Sequence, residues 1–426
     1  MRNAITRFFR FSLGVFYRRI EMVGLERVPA GPVIFAVNHP NGLVDPLFLV
    51  CFTPRPVSFL AKAPIFGYPF LGWVARKFDG IPVYRKQDET RGSNRETFGR
   101  ARAVLRGGGT IAIFPEGTTH SDSRLRELKT GVARIALGAD VDGLTIVPTG
   151  IYYTAKHIFR SEALVVFGEP LRVASTVVDD EEPQANAVAA LTAAVDEGLD
   201  AVTLQADSHA ALELIVQAEK LFTASDVQPL AEELELRRRF VEGYHELRRH
   251  DPERLQRIES EITQLAAELR RAKLDPHELT PRFEAPRLLR MLLLSPFAIA
   301  GTIINYPAYR AVGFIAKRMS KGEGELVATI KFLAAFLLFP LTWIAVAVFA
   351  GLRFGILWAV ASLIALPVLA YIAMYVSEDL DETIGDLRGL KHGSRFVARR
   401  NAIREEILAV ASALTNAPAS GTRAGD

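Results

Sequence analysis

The chain has 426 residues, and its 51 lysines and arginines against 48 aspartates and glutamates give a net charge of +3. So small a charge over this length argues against a nucleic-acid-binding protein, while 49% apolar and 23% charged residues exclude a disordered chain. The single cysteine, Cys51, excludes an intrachain disulfide and a cysteine-based metal cluster. The length predicts two or three domains.

Residues 1–20 predict an amphipathic helix that lies in a membrane interface. Five arginines precede the first acidic residue, and apolar residues recur among them at helical spacing, which suits anionic lipid. The arginines are Arg2, Arg7, Arg10, Arg18 and Arg19, and the apolar residues are Ile5, Phe8, Phe9, Leu13 and Phe16. A cleaved signal peptide is the alternative, but the uncharged run over 11–17 is short and no small-residue cleavage site follows.

Residues 21–175 predict a layered α/β domain with a mostly parallel sheet. Short runs rich in β-branched and aromatic residues, each bounded by glycine or proline, alternate with helical segments. The clearest predicted strands are 33–37, 110–114, 144–147 and 163–167. Strands that alternate with helices are typical of a buried parallel sheet covered by helices.

The first of these strands is followed by a histidine and an aspartate. His39 at the carboxyl end of a strand lies where α/β sheets usually bind ligands. Asp45 could accept a hydrogen bond from one imidazole nitrogen, which fixes the tautomer and leaves the other nitrogen to take a proton. Asp45 before Pro46 also fits a helix N-cap, and the two roles are compatible because a carboxylate has two oxygens.

Three further loops are predicted to reach the same edge of the sheet. The strand over 110–114 is followed by residues 115–118, which offer backbone N–H groups, the carboxylate of Glu116 and a glycine that permits close approach of a ligand. An ordinary tight turn with a surface glutamate is the alternative there. The segment 80–85 ends in an arginine, whose planar guanidinium suits a phosphate group. Residues 147–150 close the last strand of the set.

Residues 176–285 predict a helical region, since alanine, glutamate, leucine and arginine dominate there. Asp251 and Pro252 predict the N-cap and first residue of a helix in which apolar residues recur every three or four positions. That repeat covers two heptads, fewer than a coiled coil requires, so we expect helices that pack on their neighbours.

Two uncharged stretches predict a transmembrane helical hairpin within residues 318–380. Residues 332–352 and 354–376 are each long enough to cross a hydrocarbon core of about 30 Å at about 1.5 Å per residue. Only Arg353 separates them, so the helices are expected to be antiparallel. A buried helix pair in a soluble domain is the alternative, but stretches with so few charges are rare in soluble cores.

A shorter apolar stretch, 291–304, contains a proline and a glycine and predicts an interfacial or re-entrant segment within 286–317.

The flanks of the hairpin predict its orientation. Basic residues flank the hairpin on both sides, which predicts that the soluble part and the basic tail over 381–426 face the cytoplasm. These residues are Lys317, Arg318, Lys321 and Lys331 before the hairpin and Arg388, Lys391, Arg395, Arg399, Arg400 and Arg404 after it.

Taken in this order, four loop segments resemble the blocks of the glycerolipid acyltransferase family that includes the 1-acylglycerol-3-phosphate acyltransferases. The segments are 39–45, 80–85, 114–117 and 147–148. A closer likeness, to the fungal-type glycerol-3-phosphate/dihydroxyacetone-phosphate acyltransferases, extends through 202–206, 237–244 and 327–331 and so covers most of the chain.

The chain departs from the family pattern at two places. Five residues rather than four separate His39 from Asp45, and a loop over 40–42 is expected to absorb the extra one. The family's Thr-Arg-Ser is replaced by Thr-Thr-His after Gly117, so one expected phosphate contact is missing. Lys129 matches a basic position of the family and is expected to substitute for it.

The resemblance implies a membrane-bound O-acyltransferase of phospholipid biosynthesis. His39, oriented by Asp45, would activate an acceptor hydroxyl to attack a fatty acyl thioester of coenzyme A or acyl carrier protein. The residues implied for acceptor and phosphate binding are Arg85, Glu116, Gly117, Thr118 and Lys129. No metal or bound cofactor is required. The expected acceptor is glycerol 3-phosphate, with 1-acylglycerol 3-phosphate as the alternative, and the expected place is the inner cell membrane with the catalytic domain in the cytoplasm.

Other functions are less well supported by the sequence. A catalytically weak membrane scaffold with the same fold is favoured by the altered His–Asp spacing and the missing arginine after Gly117. It is opposed by the intact residues His39, Asp45, Arg85 and Glu116. A lipid serine hydrolase would need a Gly-x-Ser-x-Gly elbow, which the sequence lacks. The glycines over 107–109 are not followed by the Lys-Ser/Thr pair of a nucleotide-binding loop.

Overall fold

The computed structural model describes residues 2–84, 94–174, 184–223, 229–281, 284–320 and 324–416. They divide into two compact units. The α/β unit comprises Met1–Gln205 and Ala316–Phe332, and the helical unit comprises Ala206–Ile315 and Leu333–Asp426. The predicted fold class, a layered α/β domain followed by helices that include long apolar ones, is confirmed.

Among the described residues, eight strands form one mixed sheet in the α/β unit. The strands are β1 (Arg19–Val23), β2 (Val33–Val37), β3 (Val57–Lys62), β4 (Ile81–Val83), β5 (Thr110–Ile113), β6 (Thr145–Tyr153), β7 (Glu162–Phe167) and β8 (Leu171–Arg172). Their order is β1-β7-β6-β2-β5-β3-β4, and β8 pairs with β6. The pairs of β6 with β7 and with β8 are antiparallel, and the others are parallel. The four predicted strands are present as β2, β5, β6 and β7.

The centre of the sheet determines which loops meet. All five residues of β2 are buried, and β2 lies between β5 and β6. The parallel register places Ala36 opposite both Ile113 and Pro148. Because parallel strands end at one edge, the loops that follow β2 and β5 emerge side by side there.

One face of the sheet packs against three helices of the α/β unit. They are α4 (Asn94–Arg106), α5 (Gly131–Ala139) and α6 (Ala185–Asp200). Ile111 and Ile146 of the sheet form one apolar core with Leu105, Ile135 and Leu199 of these helices, all fully buried. Each such side chain contributes about 1.5–3 kcal/mol of burial free energy. The domain boundary predicted at residue 175 is therefore too early, because α6 supplies part of this core.

Helix α1 (Arg2–Phe16) lies where the amphipathic pattern predicts a helix, but most of its apolar face packs within the α/β unit. Phe9, Leu13 and Phe16 are buried, in part because helix α2 (Val44–Phe52) packs against α1. The prediction that the whole apolar face lies in a membrane is wrong for these three residues. Phe8 and Phe11 remain 51% and 65% exposed.

The α/β unit also contains helix α3 (Pro69–Lys77). The helical unit contains α7 (His209–Thr223), α8 (Leu230–His250), α9 (Pro252–Ala272) and α13 (Ser394–Asn416). Asp251 caps α9 as predicted, since its side chain accepts a hydrogen bond from the backbone N–H of Arg254 at 3.0 Å. The apolar stripe of α9 packs against α7 and α13 rather than forming a coiled coil.

Among the described residues, three helices are long and apolar enough to cross a membrane. They are α10 (Ala285–Met319), α11 (Gly324–Phe354) and α12 (Ile356–His392). The last two contain the stretches predicted as a hairpin. The break between them lies at Gly355, two residues after Arg353, where a φ of +97° favours glycine.

Helix α10 is continuous over 35 residues and extends well beyond the apolar stretch 291–304 on both sides. Arg287 and Arg290 limit the apolar stretch in the sequence, but both pair with acidic residues of α12. Arg287 lies 3.0 Å from Glu382, and Nε of Arg290 donates to Asp379 at 2.8 Å. The acidic residues of α12 compensate the charges of Arg287 and Arg290, which lie in α10 before its apolar centre.

Candidate active site

His39 and Asp45 lie side by side at the carboxyl edge of the sheet. His39 follows β2, and Asp45 is the second residue of α2. Nδ1 of His39 lies 2.8 Å from Oδ2 of Asp45. The Asp45 side chain is fully buried, and the His39 side chain is 16% exposed. An imidazole that donates from Nδ1 to the carboxylate keeps Nε2 as a proton acceptor, which is the arrangement that a general base needs.

Asp45 does not act as the N-cap of α2. Leu43 occupies that position, and the Asp45 carboxylate instead accepts a hydrogen bond from the backbone N–H of Asn41 at 2.7 Å. Residues 38–43 contain no helix or strand, so this loop absorbs the extra residue between histidine and aspartate as predicted.

Two tyrosines and an asparagine surround the buried end of Asp45. The Tyr153 hydroxyl donates to Oδ1 of Asp45 at 2.5 Å, and Nδ2 of Asn41 donates to the Tyr17 hydroxyl at 3.2 Å. Burial raises the pKa of both tyrosines well above its usual value, and the negative charge of Asp45 raises it further. Both phenols therefore keep their protons over the physiological range and are available as hydrogen-bond donors.

The carboxylate of Glu116 is turned into the protein. Glu116 is 3% exposed, and its Oε1 accepts the backbone N–H of His39 at 3.1 Å. Its Oε2 accepts the backbone N–H of Arg126 at 3.0 Å and also pairs with Nε2 of His120. Nδ1 of His120 accepts from the N–H of Asp122 at 3.2 Å, so the proton that faces Glu116 is on Nε2. Glu116 thus joins three segments of the chain around the site. A residue that binds the acyl acceptor would instead present its carboxylate at the surface of the site.

The turn after Glu116 lies under a lysine. Gly117 has φ of +71°, a conformation that favours glycine, and its N–H donates to the Phe114 carbonyl at 3.0 Å. A Cβ at Gly117 would collide with the Lys129 side chain, so the exposed lysine covers this turn. The backbone N–H of Lys129 donates to Pro115 at 2.9 Å. Lys129 and the half-buried Thr118 therefore border the same turn.

The imidazole of His39 is also held by an aromatic ring. Phe114 follows β5 and stacks on His39 with ring centroids 4.1 Å apart and an angle of 24° between the ring planes. Asn38 fixes the same loop on its other side, since it exchanges two hydrogen bonds with the backbone of Ile151 in β6 at 2.7 and 3.1 Å. His39 is therefore positioned by both neighbours of β2.

The structure brings together all of the predicted site residues except Arg85, which lies outside the described residues. Sequence reasoning missed Tyr17, Tyr153 and Lys156. Nζ of Lys156 donates to the Pro40 carbonyl at 2.9 Å and to the Ser121 hydroxyl at 2.6 Å. No local spacing marks these three residues, because each reaches the site from a strand or loop remote in sequence from the His–Asp loop.

One comparison with known proteins matches the part of the chain that carries the His–Asp pair. Residues 19–152 match the family model described as Acyltransferase. These residues, which include His39 and Asp45, therefore form an acyltransferase-family domain, and the resemblance inferred from the loop segments is confirmed.

Glycerolipid acyltransferases are among the relatives of the chain. Glycerol-3-phosphate O-acyltransferase 1 of Saccharomyces cerevisiae is 27% identical over 416 residues, which cover 73% of this chain and 54% of the relative. The chloroplastic 1-acyl-sn-glycerol-3-phosphate acyltransferase LPAT1 of Arabidopsis thaliana is 28% identical over 147 residues, or 34% of this chain and 39% of the relative. The crystal structure of the 1-acyl-sn-glycerophosphate acyltransferase of Thermotoga maritima matches with 20% identity and a TM-score of 0.35, covering 47% of this chain and 77% of that one. The chain spans between 37% and 65% of the length of the first three curated relatives.

Proposed function

We propose that the protein is a membrane-bound O-acyltransferase that transfers a fatty acyl group from a thioester to a hydroxyl of glycerol 3-phosphate, in phospholipid biosynthesis. The observation that carries this proposal is the His39–Asp45 pair, 2.8 Å apart, within the domain that matches the Acyltransferase model. The three long apolar helices support attachment to a membrane.

The extent of the matches supports glycerol 3-phosphate as the acceptor. The match to the yeast glycerol-3-phosphate acyltransferase covers 73% of this chain, whereas the match to the plant 1-acylglycerol-3-phosphate acyltransferase covers 34%. Of these two matches, only the yeast one is long enough to extend well beyond the α/β unit. Acylation of 1-acylglycerol 3-phosphate is the second candidate, because the plant relative is 28% identical over its shorter match, about the same as the 27% of the yeast relative.

The proposed reaction is a direct acyl transfer. Nε2 of His39 takes the proton of the acceptor hydroxyl as its oxygen attacks the thioester carbonyl. The tetrahedral intermediate then expels the thiolate of coenzyme A or acyl carrier protein, which takes the proton back from the imidazolium. Asp45 stabilises the imidazolium while it exists. The N–H of Gly117 already donates within its turn, so oxyanion stabilisation from that N–H requires the turn to change conformation.

Lys129, Thr118 and Arg85 are the proposed ligands of the acceptor phosphate, and no metal ion is needed for this role. Lys129→Met is expected to raise the KM for glycerol 3-phosphate by roughly 10- to 100-fold, which corresponds to one lost hydrogen bond to a charged group. Lys129→Arg keeps the charge and serves as the control, with a smaller rise expected. Steady-state kinetics with the acceptor varied at saturating palmitoyl-CoA measure both, and an unchanged KM for Lys129→Met would remove Lys129 from the proposal.

Contacts within each unit support a hairpin formed by α11 and α12, with α10 not crossing the bilayer completely. In the α/β unit, Thr329 at the start of α11 accepts from the N–H of Leu43 at 3.2 Å. In the helical unit, Phe396 and Ile403 of α13 share an apolar core with Leu265 of α9. Among the described residues before α10, no helix is long and apolar enough to cross a membrane. We therefore propose that one side of the membrane holds three parts of the chain, namely the residues before α10, the start of α11, and helix α13. The proposed side is the cytoplasmic face of the inner membrane.

Labelling of single cysteines tests this topology. In a Cys51→Ala background, Arg318→Cys, Glu261→Cys and Ser412→Cys are expected to react with a membrane-impermeant maleimide from one side, and Arg353→Cys from the other. All four positions are exposed. Inside-out and right-side-out vesicles distinguish the sides. Reaction of Arg318→Cys from the same side as Arg353→Cys would mean that α10 crosses the membrane.

The acceptor is tested with purified protein in detergent and labelled palmitoyl-CoA. Glycerol 3-phosphate and 1-acylglycerol 3-phosphate are offered separately, with His39→Ala as the blank. Faster product from glycerol 3-phosphate is expected. Product from the lysolipid alone would assign the second acylation instead. If neither reacts, palmitoyl acyl carrier protein is the next donor, and continued lack of product would favour the scaffold.

A further inference from the structure

The carboxylate of Asp45 is held on both oxygens. Oδ2 faces His39 at 2.8 Å and accepts the backbone N–H of Asn41 at 2.7 Å. Oδ1 accepts the hydroxyl of Tyr153 at 2.5 Å. The Asp45 side chain is fully buried, and Tyr153 is 8% exposed. The imidazole and the phenol therefore fix the carboxylate from opposite ends.

Tyr17 and Asn41 enclose the same end of Asp45. A phenol has one proton, and that of Tyr153 is donated to Asp45. The ring of Tyr17 lies beside that of Tyr153, with centroids 5.5 Å apart, and its oxygen accepts from Nδ2 of Asn41 at 3.2 Å. Tyr17 and Asn41 are both buried, so they help to hold the Tyr153 ring where its hydroxyl reaches the carboxylate.

The contact from Tyr153 attaches Asp45 to the sheet. The loop between His39 and Asp45 is one residue longer than the family pattern, which gives the two side chains more freedom relative to each other. Tyr153 comes from β6, whose register with β2 pairs Val37 with Thr149. His39 follows β2, and β2 is paired with β6. A hydrogen bond from β6 to Asp45 therefore fixes Asp45 relative to His39, which the loop between the two residues does not do by itself.

We propose that Tyr153 is a positioning residue that holds Asp45 against His39 and thereby fixes the imidazole with its proton on Nδ1. The catalytic consequence of this role rests on the proposed function. The tautomer of His39 is a property of the folded protein, so it can be measured whether or not acyl transfer is observed.

Tyr153→Phe removes the hydroxyl and keeps the ring. Tyr152→Phe is the matched control, because it makes the same change one residue earlier, where the side chain points to the opposite face of the strand. Full-length protein in detergent is labelled with nitrogen-15 at its 8 histidines, and the spectrum of His39→Gln identifies the signals of His39. The wild type is expected to show neutral His39 protonated on Nδ1.

In Tyr153→Phe, a larger fraction of neutral His39 is expected to carry its proton on Nε2, because Asp45 is no longer held against Nδ1. We also expect kcat to fall by roughly 10- to 100-fold, as for one lost hydrogen bond to a charged group. The acceptor KM should stay unchanged. Tyr152→Phe should keep the wild-type tautomer of His39 and a kcat near that of the wild type, because its side chain lies on the face of β6 away from Asp45.

Two results would count against different claims. A Tyr153→Phe protein whose His39 keeps the wild-type tautomer would overturn the positioning role, even if its Tm is lower, because the phenol would then only fill space. A wild-type protein that acylates neither acceptor would overturn the proposed function. In that event the spectra of Tyr153→Phe would still decide the role of Tyr153.

Discussion

His39→Ala is expected to lower kcat for acyl transfer by roughly 10²- to 10⁴-fold, the range typical of a lost general base. The reason lies in the orientation of the ring. Nδ1 faces Asp45 at 2.8 Å, so Nε2 is the nitrogen that can take a proton from the acceptor. His120, which also lies near the site, does not replace this function, because it is 8% exposed and its Nε2 is directed at Glu116.

The control for this variant is His157→Ala, which removes an exposed imidazole from the same unit. His157 contributes its backbone carbonyl to a hydrogen bond from Lys331 at 2.6 Å, and alanine keeps that carbonyl. Turnover close to the wild type is expected for this control, and thermal unfolding should show both variants folded. If His39→Ala turns over within a few-fold of the wild type, His39 is not the base.

The His–Asp pair could be predicted from the sequence because its position depends on local rules. A buried run of β-branched residues predicts β2, and loops that follow parallel strands meet at one edge of the sheet. His39 and Glu116 follow adjacent strands, β2 and β5, so this rule alone brings them together. The interval from His39 to Asp45 is short enough for one loop to close.

The buried side of the site could not be predicted in the same way. Tyr153 reaches Asp45 across 108 positions, and the contact depends on the register of β6 against β2. Neither the register nor the face of the strand can be derived from the residues around Tyr153. The same holds for α1, where helical spacing marks an apolar face but does not tell which of Phe8, Phe9 and Leu13 the neighbouring helix will cover.

The direction of the Glu116 side chain was also beyond sequence reasoning. A Pro-Glu-Gly turn at the edge of a sheet suggests a carboxylate exposed to ligands. In the structure, two backbone N–H groups and an imidazole approach this carboxylate from segments that the sequence does not connect to it. A role in acceptor binding therefore remains a prediction, and a role in holding the loops together is the one that the contacts favour.

Glu116→Ala distinguishes these two roles, and it is expected to have the largest effect on stability. Alanine leaves three donors without their acceptor, those of the His39 and Arg126 backbone and of the His120 ring. At about 1–3 kcal/mol for each of the three unsatisfied groups, the loss is about 3–9 kcal/mol, which lowers Tm by roughly 10 °C or more. Activity should fall with both acceptors, because the backbone of His39 loses a hydrogen bond that positions it.

The matched control is Glu127→Ala, which removes an exposed carboxylate from the same loop and should leave Tm and kcat near their wild-type values. Glu116→Gln adds the decisive comparison. A neutral amide keeps one acceptor oxygen but turns a donor toward an N–H group, so a loop-holding role predicts an intermediate loss of Tm together with reduced kcat. An acceptor-binding role predicts instead an unchanged Tm and a higher KM for glycerol 3-phosphate. Since all three donors belong to the protein itself, we expect the first pattern, and the second would return Glu116 to the set of acceptor ligands.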